Sequence, residues 1–556
     1  MKKFLVVFVA LAVAVAVATP AFAKVEFSYG GQFRVRWFSQ SNFATPISQT
    51  AGAAAALDGV TGALDDDLTR LDQRLRLYFT FTASENLRLV TKFEVGDTVW
   101  GGPGTTGRVG ADGKDIEVKN MYIDFNIPNG WFPLNAKIGT QGLVMLDSWV
   151  LDDDFSAAVL TAKFADTKVE LGYIGAQNSD LFETEDDIDS WFGQVSYNCA
   201  PWSFSFVAFG QAAHDTAASA DPGTLQTPVP GTINTRIPAT GIFANQLPRN
   251  FFQRALQDAY GLLNGGYAPL GDAAYVTAGQ NNLVDLGFQV KYKDDLWSAY
   301  LTFVKNLGTV DFKRFNPAGA DEVSLADNPR RQNTITADYT GWMVDAGGAY
   351  YMGPWTFNLG GFYTTGPKDI KEQFSTPLVG TRTKMDIDWF TYPLATSKYF
   401  SEILGGGIFD NTAPMHEDMQ WRGYAFPTNL WTINLGASWQ VLPGTKLSFG
   451  YWYFSTSEDV VSGFKSNGPA ALGDTTESQR VRGYFDPEYL GRSITAADLE
   501  FDTSIGHEFN FYISQKIVDG LMLDLVAAYL IADDAYSILD DDNDALELGA
   551  RLQWSF

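Results

Sequence analysis

The sequence predicts an all-β fold, a transmembrane antiparallel up-and-down β-barrel of about eighteen strands. Three observations support this prediction. Apolar and polar side chains alternate with a period of two along most of the chain. The connectors between these segments are alternately short and long. Aromatic residues make up 14% of the chain, yet its mean hydropathy is −0.09 and its only long apolar run is at the N-terminus, which excludes a bundle of membrane helices.

The N-terminus has the three parts of a secretory signal peptide. Lys2 and Lys3 form a positive region, residues 4–17 are apolar, and Ala21-Phe22-Ala23 fits a cleavage site. The apolar stretch is too short for a typical membrane span. We therefore expect residues 1–23 to be removed and residues 24–556 to form one barrel domain.

Alternation begins at once in the mature chain and ends only at its last residue. The first segment places Phe33, Val35 and Trp37 on one face and Arg34 and Arg36 on the other. Similar segments, about 10 residues long as tilted membrane strands require, follow along the chain. They cover residues 71–83, 87–95, 121–127, 134–142, 157–164, 169–173, 191–197, 202–209, 284–292, 297–303, 342–350, 355–363, 431–441, 447–453, 509–513, 521–531 and 546–556.

The connectors fall into two sets that follow one another in turn. The short set covers residues 84–86, 165–167, 293–295, 352–354, 442–445 and 518–520. The other set is long, polar and rich in Gly, Pro and Asp. Short turns at one rim and long loops at the other are typical of outer-membrane barrels. Both chain termini then lie at the short-turn, periplasmic rim.

Tryptophans at the strand ends predict two interfacial belts, because amphipathic rings prefer the depth of the lipid headgroups. Some open a strand just after a short turn, at the periplasmic interface: Trp202, Trp297 and Trp355. Others lie at the outer interface, because they end a strand that runs outward or open one that returns: Trp37, Trp191, Trp342 and Trp431.

The last strand resembles the terminal strand of Gram-negative outer-membrane porins. Leu552, Trp554 and Phe556 alternate, and the chain ends on an aromatic residue. The resemblance covers the whole mature chain and implies a channel in the Gram-negative outer membrane, delivered by the barrel-assembly machinery. Residues 121–163 also resemble, faintly, the alginate-export group through Ile138-Gly139-Thr140-Gln141.

The side chains predicted to face the lumen are basic on the first three strands. They form a ladder of Arg34, Arg36, Arg70, Arg74, Arg76, Arg88 and Lys92. Such a row in a narrow aqueous pore favours anions and orients zwitterions. The alternative is that these residues pair with acidic residues on a plug loop and brace the barrel wall. The ladder predicts passive diffusion of small hydrophilic solutes, anionic or zwitterionic.

The longest connector, residues 212–282, is too long for an ordinary loop. Its helical spacing of apolar residues predicts a short amphipathic helix. That helix could fold into the lumen as a constriction or cap the outer mouth. The residues of this predicted constriction are Phe251, Phe252, Arg254, Leu256 and Tyr260.

Acidic residues cluster in runs, among them Asp65-Asp66-Asp67, Asp152-Asp153-Asp154 and Asp540-Asp541-Asp542. Calcium or magnesium could bridge such runs to each other or to lipopolysaccharide; the alternative is a solvated loop surface. No cofactor is otherwise expected. The formal net charge of −26 argues against a nucleic-acid partner.

Several aromatic residues fall on the predicted inner face: Tyr78, Tyr122, Phe362, Trp452, Phe454 and Tyr512. They are expected to pack inside the lumen, and a track for carbohydrate is the alternative.

Catalysis is not expected, because His214, His416 and His507 lie in no hydrolase or metalloprotease motif. A structural barrel, either a surface adhesin or a sheath for an electron-transfer partner, is the alternative to a channel. The outer surface would contact lipid and lipopolysaccharide. A homotrimer is also compatible with the sequence, because lipid contacts and protomer contacts are both apolar.

Overall fold

A computed structural model of the chain describes residues 25–41, 68–101, 116–128, 132–177, 188–213, 275–315, 335–366, 384–393, 398–408, 427–464, 499–535 and 544–556. Regular structure in these ranges consists of β-strands. No helix among the described residues is long and apolar enough to cross a membrane.

Twenty strands occur in the described ranges. In chain order they are β1 Glu26–Ser41, β2 Leu68–Ser84, β3 Leu87–Val99, β4 Glu117–Asn126, β5 Leu134–Met145, β6 Leu151–Phe164, β7 Thr167–Gln177, β8 Ile188–Cys199, β9 Trp202–Ala213, β10 Tyr275–Lys293, β11 Trp297–Phe315, β12 Ile335–Tyr339, β13 Trp342–Met352, β14 Trp355–Thr364, β15 Lys384–Ile387, β16 Trp431–Leu442, β17 Thr445–Phe464, β18 Leu499–Val518, β19 Leu521–Ala532 and β20 Ala545–Ser555.

Eighteen of these strands form a closed antiparallel barrel. Each pairs with the next in chain order, and β1 closes the sheet by pairing with both β2 and β20. At the seam Phe33 lies between Leu75 and Trp554, and Phe556 exchanges two backbone hydrogen bonds with Gly31. The two short strands β12 and β15 pair in parallel with each other beyond the barrel ladder. The predicted fold class and strand number are confirmed.

The connectors sort by rim as predicted, with one informative exception. Seven tight turns share the rim that holds both termini, and six of them contain two residues, such as Pro443-Gly444; the β4–β5 connector at this rim is longer, at residues 127–133. On the opposite rim the β5–β6 connector, Leu146–Val150, is also short. Both strands therefore extend further than the alternation predicted. As a result Asp152-Asp153-Asp154 lies in β6 and not in a loop.

The exterior of the barrel is apolar and open to its surroundings. On β20 Leu546 and Leu548 are 37% and 40% exposed, whereas Glu547 between them faces inward and is fully buried. Exposed tryptophans lie near both rims, including Trp191 and Trp202. An exterior with this much apolar surface requires an apolar environment.

The interior departs from the simple alternation because part of it is also apolar. Inward side chains of β6 to β9, including Val159, Ile174, Phe192 and Phe209, are buried in one hydrophobic cluster. Leu146–Val150 and parts of residues 389–404 complete this cluster from inside the barrel. Polypeptide inside the barrel therefore covers an apolar section of the inner wall.

Candidate functional site

The predicted basic ladder lies on the adjacent strands β1, β2 and β3. Arg34 is directly opposite Arg74, and Arg36 is opposite Asp72. Arg34, Arg36 and Arg74 are buried, while Arg76 and Arg88 reach further into the open lumen. The ordering of the ladder along the wall follows from this register.

The ladder residues form ion pairs with carboxylates on the same wall. Asp72 accepts from Arg36 at 2.8 Å and lies 3.1 Å from Arg70. Glu94 pairs with Arg76, and its Oε2 atom is 4.0 Å from the Arg74 Nε atom. The pairs join β1, β2 and β3, so the acidic partners seen here stand on barrel strands and not on an inserted loop. Both functions considered for the ladder, anion attraction and bracing of the wall, are compatible with this arrangement.

In most of these pairs the cation is more exposed than the carboxylate. The side chain of Arg88 is 52% exposed and that of its partner Asp124 only 5%. Arg76 is 26% exposed against 7% for Glu94, and the Arg551–Asp524 pair between β20 and β19 shows the same order. The carboxylates are thus recessed into the wall, and the positive groups are the ones that water in the lumen contacts.

The wall formed by β13 to β16 has a different character, because small and neutral residues face the lumen there. Gly347 is opposite Gly360, and Gly360 is opposite Asn434. A Cβ atom at Gly436 would collide with the side chain of Asn358. The lumen is therefore asymmetric, with a charged wall on one side and a neutral polar wall on the other.

The predicted constriction residues Phe251, Phe252, Arg254, Leu256 and Tyr260 lie outside the described residues. Within the described ranges, other segments enter the lumen. We name residues 146–150 the lumenal turn and residues 398–408 the lumenal segment. The alternation of apolar and polar residues singles out neither of them.

The lumenal turn has a strained backbone. Leu146, Asp147 and Ser148 have φ angles of 50°, 53° and 70°, so three consecutive non-glycine residues adopt left-handed conformations. Each such residue costs roughly 1–2 kcal/mol. Buried neighbours on both sides hold the turn in place, since Leu146 packs over Gly287 and Trp149 is completely buried.

Trp149 fixes the turn to the far side of the lumen. Its indole nitrogen donates to Asp345 on β13 at 2.8 Å. Its ring packs against Phe362, Phe390 and Tyr392, with centroid distances of 5.2 to 6.5 Å. The turn from β5–β6 therefore contacts strands on the other side of the barrel.

The lumenal segment begins beside this turn. The Lys398 ammonium donates to the backbone oxygen of Asp147 at 2.8 Å, lies 3.7 Å from Asp345 and stands 5.0 Å over the Trp149 ring. Burial lowers the pKa of Lys398, although Asp345 and Asp147 act in the opposite direction. Lys398 therefore joins the turn to the segment.

The other end of the lumenal segment is tied to β18 by one carboxylate. Glu508 is fully buried, and its two oxygens accept the backbone N–H groups of residues 402, 403 and 404 and the hydroxyl of Ser401, at 2.8 to 3.1 Å. Bonds to a charged acceptor are among the stronger hydrogen bonds. Glu508 is therefore the main anchor at this end.

Further contacts extend the segment to β20. Tyr512 donates to Glu402 at 2.9 Å, and Arg551 donates to the backbone oxygen of Ile408 at 2.7 Å. Counted over the eighteen barrel strands, the turn leaves between the fifth and sixth, reaches the tenth and twelfth, and the segment ends on the sixteenth and eighteenth. The anchors are spaced at about a third of the circumference, so polypeptide crosses the lumen and narrows it.

Aromatic residues predicted to face inward divide into two groups. Phe362 and Phe454 are buried in the interior cluster, as expected for packing residues. Tyr78 and Tyr122 lie under the ammonium groups of Lys92 and Lys137, at 6.0 and 5.7 Å from the ring centroids.

Sequence reasoning missed Asp147, Trp149, Lys398 and Glu508 as functional candidates. A partial signal for the turn was present, because Leu146–Leu151 is short and apolar at a rim where long polar loops are expected. The role of Glu508 depends on contacts with residues more than 100 positions away in the chain, which no local pattern reports.

Metal binding by the acidic runs stays a prediction. Among the described residues, no group of three or more His, Cys, Asp or Glu side chains could hold a metal ion. The runs at residues 65–67 and 540–542 lie outside the described ranges. Recognition by the assembly machinery also stays a prediction, and its residues Leu552, Trp554 and Phe556 are exposed on the exterior.

A closed antiparallel barrel with an apolar exterior and a charged interior defines the class of the protein. It is a transmembrane β-barrel of the kind found in the outer membrane of Gram-negative bacteria. No protein-family model and no curated protein matches the sequence.

Solved structures from Pseudomonas aeruginosa are similar over nearly the whole chain. OccK9 (OpdG) has a TM-score of 0.44 and 11% identity, over 96% of this chain and 100% of that chain. OpdO has a TM-score of 0.43 and 10% identity, over 96% and 97%. OprD has a TM-score of 0.42 and 10% identity, over 96% and 97%. The class stated above rests on the barrel's own closure and surfaces.

Proposed function

We propose that the protein is an outer-membrane channel for passive diffusion of small hydrophilic solutes, and that it prefers anions or zwitterions. The observation that carries this proposal is the unequal exposure within the ion pairs of the basic ladder. A recessed carboxylate neutralises part of the charge, but the exposed guanidinium is what a solute contacts first. The exposed charged groups of these ladder pairs are therefore cationic.

Guanidinium groups suit this task because they remain charged at all physiological pH values and donate several hydrogen bonds in one plane. The Arg88 side chain is 52% exposed, so part of its guanidinium group faces the lumen. A solute that carries both charges would place its anionic end toward this wall. The neutral wall around Gly347 and Gly360 leaves room for the rest of the solute.

Narrowing of the lumen gives these charges their influence. In a wide aqueous pore, salt screens a wall charge within about 8 to 10 Å. The lumenal turn and segment occupy part of the cross-section, so solutes pass closer to the charged side chains.

The test is planar-bilayer recording of the purified protein, with reversal potentials measured in a potassium chloride gradient. Chloride should be more permeant than potassium. Preference for potassium would disprove the anion selectivity and leave a channel. Absence of conductance in correctly folded protein would disprove the channel and favour the structural barrel.

A further inference from the structure

Asp147 occupies a position in the lumen where a passing anion would be expected to bind. Its Oδ1 atom accepts from the Lys291 ammonium at 2.7 Å, and its Oδ2 atom accepts from the Gln289 amide at 2.9 Å. The two donors project from β10, whereas Asp147 comes from the β5–β6 turn. One carboxylate thus bridges two donors on a distant strand.

This pair is accessible to water, which distinguishes it from a structural brace. The side chain of Lys291 is 41% exposed and that of Asp147 is 47% exposed. Gln289 is held by a second hydrogen bond, to Thr302 at 2.8 Å, so its amide is oriented independently of Asp147. The Gln289 donor would therefore remain in place if the carboxylate left.

The turn presents Asp147 to these donors at a cost in backbone conformation. Leu146, Asp147 and Ser148 are all left-handed, and a residue in this conformation is held only where its surroundings impose it. Leu146 and Trp149 provide that restraint from the apolar cluster. Only Asp147, of these three, projects a charged group into the lumen.

We propose that Asp147 is a tethered competitor for an anion-binding site formed by Lys291 and Gln289. A permeating anion would pass this level by displacing the carboxylate from the two donors. Because the carboxylate is attached to the same molecule, its local concentration is high. The carboxylate therefore shortens the time that a permeating anion stays bound, and the site does not trap the anion.

This inference rests on the proposed channel function and names the residue that sets anion affinity inside it. The experiment uses the whole protein in planar bilayers, with chloride as the probe. Single-channel conductance is measured against potassium chloride concentration for wild type, Asp147→Asn, Lys291→Met and the double variant. Asp519→Asn is the matched control, because Asp519 pairs with Lys516 at 2.5 Å in a turn outside the lumen.

Asp147→Asn should lower the half-saturating chloride concentration by about two- to five-fold, the range that exposed ion pairs support. Lys291→Met and the double variant should lose the saturable component, and Asp519→Asn should behave as wild type. Asp147→Gly is the second variant, because glycine tolerates the left-handed backbone and preserves the turn. Folding is checked for each variant by its heat-dependent migration in gels.

Two results would overturn the inference while leaving the channel intact. One is an effect of Asp147→Asn that disappears near 1 M salt, where screening removes a simple field effect. The other is an effect of Asp147→Asn on the chloride dependence of conductance that is equally large in the wild-type background and in the Lys291→Met background. If no variant and no wild-type protein conducts, the proposed function fails together with the inference.

Discussion

Arg88 and Asp124 form an ion pair whose two members have very different environments. The guanidinium Nη2 atom lies 2.6 Å from the carboxylate, with 52% of the Arg88 side chain exposed and 5% of Asp124. A second nitrogen of Arg88 and the amide of Asn135 also donate to Asp124. The carboxylate is saturated by the wall, and the positive charge projects into the lumen.

Arg88→Ala should therefore reduce anion selectivity by more than the removal of a positive charge far from the lumen would. Removing the guanidinium leaves the Asp124 carboxylate as the nearest charge to the lumen. We expect the chloride-to-potassium permeability ratio to fall by about two-fold or more at low salt. Reversal potentials in a salt gradient measure this change.

Arg88→Lys is the matched control, because it keeps the charge and loses the planar donor geometry. It should retain most of the selectivity. An unchanged ratio in Arg88→Ala would show that this pair serves only to brace the wall.

Glu508→Gln should loosen the lumenal segment and raise conductance. The amide cannot accept on both sides, and its NH2 group would face backbone N–H donors that now contact a carboxylate oxygen. Each lost bond to a charged acceptor is worth about 1.5–3 kcal/mol. Single-channel conductance and current noise should both increase.

Glu170→Gln provides the comparison for this variant. Glu170 is a carboxylate of β7 that pairs with Lys168 at 2.7 Å and accepts from Thr161. Among the described residues, Glu170 makes no contact with the lumenal segment. The conductance of Glu170→Gln should therefore match that of the wild type. Equal conductance of all three proteins would contradict the anchoring role of Glu508.

The fold could be predicted because a barrel strand has two faces in two different environments. Leu548 and Leu552 lie on the outer face and Glu547 lies on the inner face, and this contrast repeats along the chain. An even number of alternating segments makes the first and last strands antiparallel, and their pairing closes the barrel.

The apolar part of the interior could not be predicted in this way. Phe192 and Phe209 face inward, where alternation leads one to expect water, because the lumenal turn covers them. Alternation tells which residues share a face but not what that face contacts. Lys398 is a similar case, since its partner Asp147 is 251 residues away in the chain.

Trp149→Ala should release the lumenal turn without unfolding the barrel. The variant loses the hydrogen bond to Asp345 and leaves a cavity beside Phe362 and Tyr392. Replacing a buried tryptophan by alanine costs about 3–5 kcal/mol. Because the strained turn depends on this restraint, we expect it to leave its position and conductance to rise.

Trp149→Phe separates the two contributions, since it retains most of the packing and loses only the hydrogen bond. Its conductance should lie between wild type and Trp149→Ala. Gel migration of the heated and unheated protein checks that the barrel remains folded. A Trp149→Ala barrel with wild-type conductance would count against a lumenal turn that narrows the pore.

Alkaline pH should reduce anion selectivity through Lys398. Burial disfavours its charged form and lowers the pKa, while Asp345 and Asp147 oppose this effect and Lys291 adds to it. Lys398 therefore loses its proton below the usual value for lysine, about 10.4. In that interval the unfolded chain binds more protons than the folded one, so the stability contributed by this group rises with pH.

The selectivity should change in the opposite direction, because the folded channel loses a positive charge in the narrowed part of the lumen. The chloride-to-potassium ratio of wild type should fall as the pH approaches ~10, at a pH where Lys398→Arg still retains its selectivity. Arginine stays charged throughout this range, so the difference between the two titration curves isolates Lys398. Superimposable curves for the two proteins would show that Lys398 does not control the permeation of anions.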